Sequence, residues 1–165
     1  MQIESLKVGF LETNCYILTI DDSCLVIDPG DEYDKIKQAI GNKKVIGTLI
    51  THHHYDHIGA LKYFNNIYDF HNLKEGINHL GPFTFEVIYT PGHTNDSISF
   101  YFEDNNVMFV GDFLFKDAIG RTDLGGNDKD MCNSLKKISK YNKNITIFPG
   151  HGDKSVLGIE VNKWI

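Results

Sequence analysis

Cysteine is scarce in this chain and shows no pattern. Cys15, Cys24 and Cys132 are odd in number and none sits in a CxxC pair, which argues against a disulfide framework and against a zinc ribbon. Reduced thiols fit such a set. Cys15 and Cys24 fall inside apolar strand-like runs and read as small core residues, while Cys132 lies on an expected helix. Long apolar runs are missing too. No stretch approaches the length of a membrane span, and Met1 to Phe10 lacks a basic segment followed by an apolar one, so a cytoplasmic location is expected. Positive charge is the minority sign: 16 Lys and Arg stand against 22 Asp and Glu, a net charge of −6. A surface of that sign repels nucleic acid and acidic lipid, and neither is expected as a partner. With no repeat of roughly 20 to 50 residues and no Pro- or Ser-rich linker, residues 1–165 are expected to form one domain.

What is present is a series of short apolar runs. Ile3 to Phe10, Cys15 to Ile20 and Cys24 to Ile27 read as an antiparallel meander, stopped by Asp28-Pro29-Gly30. Glu32 to Ile40 has helical spacing and ends at Gly41, and Val45 to Ile50 is again strand-like. A helix is expected from Ile58 to about Asn65. Further strands are expected at Phe83 to Tyr89, Ser97 to Phe102, Val107 to Val110 and Ile145 to Phe148, with a helix over Asp128 to Lys140 carrying Met131, Leu135 and Ile138. This order suits sheets covered by helices.

The chemistry is concentrated after the strand that ends at Ile50. His52, His54, Asp56 and His57 form HxHxDH, and with His53 five imidazole or carboxylate side chains fall in six positions. Core packing does not explain them, because buried ionisable groups are costly unless paired or bound to metal. In an extended segment side chains alternate, so His52 and His54 point the same way and can grip one ion. The following turn swings Asp56 and His57 toward a second. His53, between two ligands, points away. Three more candidates sit next to glycine where strands stop: His93 in Thr90-Pro-Gly-His-Thr94, Asp112 in Val110-Gly-Asp-Phe113 and His151 in Pro149-Gly-His-Gly152. Glycine there permits tight turns that aim a ligand into a shared cleft. His71 and His79 lie outside any such context and read as exposed histidines of a variable stretch.

On these residues, together with Asn14-Cys-Tyr-Ile-Leu18 and Ile27-Asp-Pro-Gly30, the chain resembles the metallo-β-lactamase superfamily over nearly its whole length. The resemblance implies an α+β fold, a four-layer αββα sandwich with metals at one edge between the sheets. It also implies one ion on His52, His54 and His93, another on Asp56, His57 and His151, and Asp112 bridging them. The best-known β-lactamase branch has Cys where Asp112 stands, and the flavodiiron branch has Glu in place of His54. Asp112 is instead similar to the glyoxalase II, or hydroxyacylglutathione hydrolase, branch. Ile119-Gly-Arg-Thr-Asp-Leu124 and Gly158-Ile-Glu-Val-Asn162 resemble segments of its short bacterial and archaeal relatives. Glyoxalase II proper adds a C-terminal helical region that supplies part of its glutathione site. These residues reach Ile165 without one, so the metal chemistry carries over and the acyl carrier stays open. That branch has a basic residue meeting the glutathione carboxylate at the position of Arg121, which is therefore expected to bind the acidic end of an anionic thioester.

Nitrogen and oxygen ligands suit zinc, iron or manganese, and zinc is expected. The expected reaction is hydrolysis of a thioester such as S-lactoylglutathione by a metal-bridging hydroxide, with Asp56 orienting it and Asp112 holding two divalent ions together. A thiolate leaves without a strong general acid, whereas a leaving nitrogen needs a proton. Two other readings stand beside this one: a persulfide dioxygenase using a single iron, and a non-catalytic metal-binding module. Seven candidate ligands speak against the module, since a structural zinc site is closed by four.

Overall fold

The chain, described over residues 1–165 by a computed structural model, is built on two sheets. The first contains β1 (Gln2–Val8), β2 (Thr13–Ile20), β3 (Ser23–Ile27), β4 (Lys44–Leu49) and β5 (Ile67–Tyr68), hydrogen-bonded in that order. β1 to β3 form the antiparallel meander, and α1 (Tyr33–Ile40) carries the chain over to β4, parallel to β3. α2 (Tyr55–Ile58) is a single turn after β4. The second sheet contains β6 (Gly76–Leu80), β7 (Phe83–Tyr89), β8 (Ile98–Phe102) and β9 (Val107–Gly111). A hairpin of β10 (Leu114–Phe115) and β11 (Ala118–Ile119) and the helix α3 (Asp128–Ile138) follow. β12 (Thr146–Pro149) and β13 (Ser155–Val156) then complete the second sheet in the order β13-β12-β9-β8-β7-β6, and α4 (Leu157–Val161) comes last.

Strand alternation explains the layering. In β2 and β3, Tyr16, Leu18, Leu25 and Ile27 face the space between the sheets, where they meet Phe83, Phe85, Phe100 and Phe109. Their neighbours Cys15, Ile17, Cys24 and Val26 face the other way and pack with Ile36 and Ile40 of α1. β9 divides likewise: Val107 and Phe109 point to the inter-sheet core, Met108 and Val110 to Met131, Leu135 and Ile138 of α3 and to Leu157 and Val161 of α4. Strands covered on both faces need apolar residues at nearly every position, as these have. The result is the expected αββα sandwich, with Cys15 and Cys24 fully buried in it and Cys132 exposed on α3.

The helix expected over Ile58 to Asn65 does not form. The helical turn begins earlier, at Tyr55, and past Gly59 only a 3-10 turn over Leu61–Tyr63 appears. The cause is close docking on the Asp28-Pro29-Gly30 loop. A Cβ on Gly59 would lie 2.2 Å from the Gly30 carbonyl oxygen, and the Ala60 N–H donates to the Pro29 carbonyl at 3.0 Å, so the helical ladder stops there. The stretch around His79, expected as variable, supplies the edge strand β6, whose sole ladder partner is β7.

Candidate metal centre

β7 and β9 both run antiparallel to β8, and β12 runs parallel to β9. β7, β9 and β12 therefore share one direction and end at one edge of the sandwich. His93 follows β7, Asp112 follows β9 and His151 follows β12, while the loop after β4 brings Thr51 to His57 to the same edge. The approach is tight enough to demand glycine at 150: a Cβ there would lie 2.1 Å from Asp112 Oδ1 and 2.6 Å from His57 Cε1.

The structure brings the seven expected ligands into one cluster. Donor atoms of His52, His54 and His93 lie within 4.8 Å of one another, as do those of Asp56, His57 and His151. Asp112 stands between the two trios. Its Oδ1 is 3.3 Å from His57 Nε2, and its Oδ2 is 3.4 Å from His151 Nε2, 3.6 Å from His93 Nε2 and 4.0 Å from His52 Nε2.

Each of the five histidines commits one ring nitrogen to the protein and turns the other inward. His54 Nε2–H donates to the Leu124 carbonyl at 3.0 Å, His93 Nδ1–H to the Arg121 carbonyl at 2.6 Å and His151 Nδ1–H to the Leu11 carbonyl at 3.1 Å. His57 Nδ1–H donates to Asp28 at 2.9 Å. The Thr51 hydroxyl donates to Asp28 at 2.7 Å, so its oxygen accepts from His52 Nδ1–H at 3.1 Å. Metal-ligating histidines carry such outer partners, which fix tautomer and ring orientation.

The inward atoms fit metal ions. His52 Nε2, His57 Nε2 and Asp112 Oδ1 are buried with no hydrogen-bond partner, a penalty of about 1 to 3 kcal/mol each if left so. Imidazole nitrogens and carboxylate oxygens that converge in this way suit divalent cations of the zinc, iron and manganese type.

Charge in the cluster is tightly coupled. Burial, with His57 adding to it, drives His52 well below the usual histidine range. Burial opposes charge on His57 as well, but the carboxylates of Asp28 and Asp112 outweigh it and lift the ring to about 10. His151 rises to about 9 against burial through Asp112 and Asp56. For Asp112 and Asp56 burial is overcome by hydrogen bonds to His151, which hold both carboxyls well below the usual range.

Several supporting residues were not singled out from sequence. Asp28 is 2% exposed and has φ 51°, and it accepts from Thr51 N–H at 2.8 Å in addition to the bonds above. A carboxylate directly after the apolar strand that ends at Ile27 was the available signal. Thr13 donates its hydroxyl to Asp56 at 2.8 Å.

Arg121 lines a cleft of about 710 Å³ in front of the cluster, together with Leu11, Tyr55, Phe115, Asp123 and Leu124. Its guanidinium is exposed and engaged bidentately by Asp123, at 2.7 and 2.6 Å. Asp117 pairs with Lys163 instead, at 2.6 Å.

His53 points away from the cluster, toward Asp96 and, at 3.1 Å, Asp69. His71 departs from its expectation: it is not isolated, because its donor atom lies within 4.8 Å of those of His53 and Asp96. His79 bonds the Thr84 hydroxyl at 3.0 Å.

A two-sheet scaffold that gathers two trios of ligand-type side chains at one edge, with Asp112 between them, is the architecture of a dinuclear metal centre. The family model of the metallo-beta-lactamase superfamily matches residues 8–80 and 73–151, and the chain belongs to that superfamily. The chain is 33% identical to a Bacillus subtilis protein named probable metallo-hydrolase YqgX, over 94% of this chain and 92% of that one. It is 30% identical to the hydroxyacylglutathione hydrolase GloC of Haemophilus influenzae, over 97% of this chain and 95% of that one. The crystal structure of the BLEG-1 B3 metallo-beta-lactamase superimposes with a TM-score of 0.89 at 29% identity, covering 95% of each chain. No helix is long and apolar enough to cross a membrane.

Proposed function

We propose that this metallohydrolase cleaves a thioester, S-lactoylglutathione or a relative of it, with two ions, zinc first among them, held by His52, His54 and His93 and by Asp56, His57 and His151 on either side of Asp112. Two such ions supply a Lewis acid and lower the pKa of water from roughly 15.7 to about 7. The residues around them divide the remaining work. Asp56, steadied by the Thr13 hydroxyl, offers its carboxylate to orient the attacking water. Asp112 keeps the trios at bridging distance and offsets their charge.

The observation that supports the thioester reading is the lack of a strong general acid at the cleft. Outside the ligand set its ionisable lining residues are Tyr55, Arg121 and Asp123. The Arg121 hydrogen bonds hold Asp123 down to about 2, so that carboxylate has no proton to deliver at neutral pH. A thiol with a pKa of about 8.5 departs as thiolate and asks for no such donor, whereas an amide nitrogen does. The likeness to GloC, named a hydroxyacylglutathione hydrolase, supports the same substrate class. The likeness to BLEG-1 favours β-lactam cleavage as the second reading. The test is a panel of thioesters, lactones, phosphodiesters and β-lactams, with oxygen uptake on glutathione persulfide alongside, run on metal-assayed protein. The highest kcat/KM is expected on a thioester. A β-lactam preferred over every thioester, or oxygen uptake on the persulfide, would overturn the reading.

A further inference from the structure

Behind the metal loop lies a second group of ligand-type side chains that the hydrolytic cleft does not use. His53 alternates away from His52 and His54, and its ring sits between two carboxylates. Nδ1 meets Asp96, from the loop after His93, and Nε2 lies 3.1 Å from Asp69, from the loop after β5. His71 leans on the same ring, with centroids 5.4 Å apart, and one donor atom from each of His53, His71 and Asp96 falls within 4.8 Å of the others. Asp69 and Asp96 keep only 13% and 22% of their side-chain exposure, so water does little to screen them.

We infer that His53, His71 and Asp96 form a third metal site, which takes one divalent cation of the zinc class. The donor set is two imidazoles and a carboxylate, the borderline ligands that zinc accepts, and three protein ligands leave a position for water. Asp69 completes the arrangement. It accepts the His53 Nε2–H while Nδ1–H donates to Asp96, and an ion held by the trio takes the place of that Nδ1 proton, the carboxylate–histidine–metal pattern repeated in the hydrolytic centre. An ion here joins the loops after β4, β5 and β7 at the back of the segment whose front holds His52 and His54. The inference concerns this second cluster alone and does not depend on which bond the hydrolase cleaves.

The test uses the full chain stripped of metal, dialysed to equilibrium against buffered zinc, with bound metal counted per chain for the wild type and His71→Ala. His71 is exposed, so its truncation leaves the core untouched. The variant is expected to bind one ion fewer than the wild type and to keep its hydrolytic rate. Cadmium-113 spectra of the two loaded proteins are expected to differ by one resonance, with the others in place. Equal metal counts in wild type and His71→Ala would overturn the inference and leave His53 as a charged ring braced by two carboxylates. Loss of activity on every substrate at an unchanged difference of one ion would count against the hydrolase reading and not against this site.

Discussion

His57 donates from Nδ1 to Oδ2 of Asp28 at 2.9 Å, and both residues are closed off from solvent. The same carboxylate takes the N–H and the hydroxyl of Thr51, whose oxygen in turn receives His52. One buried acid thus orients a histidine from each trio. Asp28→Asn has the same shape but one acceptor oxygen fewer, so a donor among these loses its partner. Metal affinity is expected to fall about 10- to 100-fold, the usual effect of removing an outer partner, as read by competition with a chromophoric chelator. Unchanged affinity would show that Asp28 only supports the loop.

The pH dependence of metal binding has a definite sign. In the metal-free protein His57 at about 10 and His151 at about 9 carry protons at neutral pH, and an ion must displace them. Apparent affinity is therefore expected to rise from pH 7 to pH 9, about tenfold per pH unit for each displaced proton. Because both folded values lie above the unfolded value of about 6.5, the stability these rings give the metal-free fold is complete below that pH. It is lost as pH rises through their folded values. Thermal unfolding of metal-free and loaded protein across this range checks both statements: only the metal-free form is expected to weaken toward alkaline pH.

The proposed ligands stand on edge loops while the three apolar clusters lie elsewhere. His54→Ala and Asp56→Ala are expected to reduce hydrolysis to background, with a stability change inside the roughly 0.5 to 3 kcal/mol of ordinary substitutions. Circular dichroism and turnover measured on the same samples separate the two effects. Full activity in either variant contradicts the assignment of that ligand.

At the mouth of the cleft, Arg121 and Asp123 are expected to act as an opposed pair on charged substrates. Charge-assisted bonds to a carboxylate are worth roughly 1.5 to 3 kcal/mol, and each 1.4 kcal/mol is about a factor of ten. Arg121→Ala is expected to raise KM for an anionic thioester about tenfold and to leave an uncharged thioester of similar size alone. Asp123→Ala frees the guanidinium and is expected to lower the same KM. Equal effects of Arg121→Ala on both substrates would mean that the pair only braces its loop.

Much of this was legible in the chain itself. Short apolar runs located β2, β3, β7 and β9, and HxHxDH after β4, with a glycine before each of His93, Asp112 and His151, pointed to the loops that the fold gathers at one edge. What stayed hidden depends on tertiary approach. The helix expected from Ile58 failed because Gly59 docks on Gly30, a contact 29 residues back along the chain. Asp28 looked like turn punctuation until His57 and Thr51 were folded onto it. His71 and Asp96 have no spacing in common with His53, and only the convergence of three loops makes them neighbours.

The most direct measurement follows S-lactoylglutathione hydrolysis while metal-free protein is titrated with zinc, with manganese and iron(II) in parallel. The account predicts no turnover after complete chelation, and a rate that climbs with added metal to a plateau. Turnover that survives complete metal removal, or fully loaded protein that leaves the thioester intact, would contradict it.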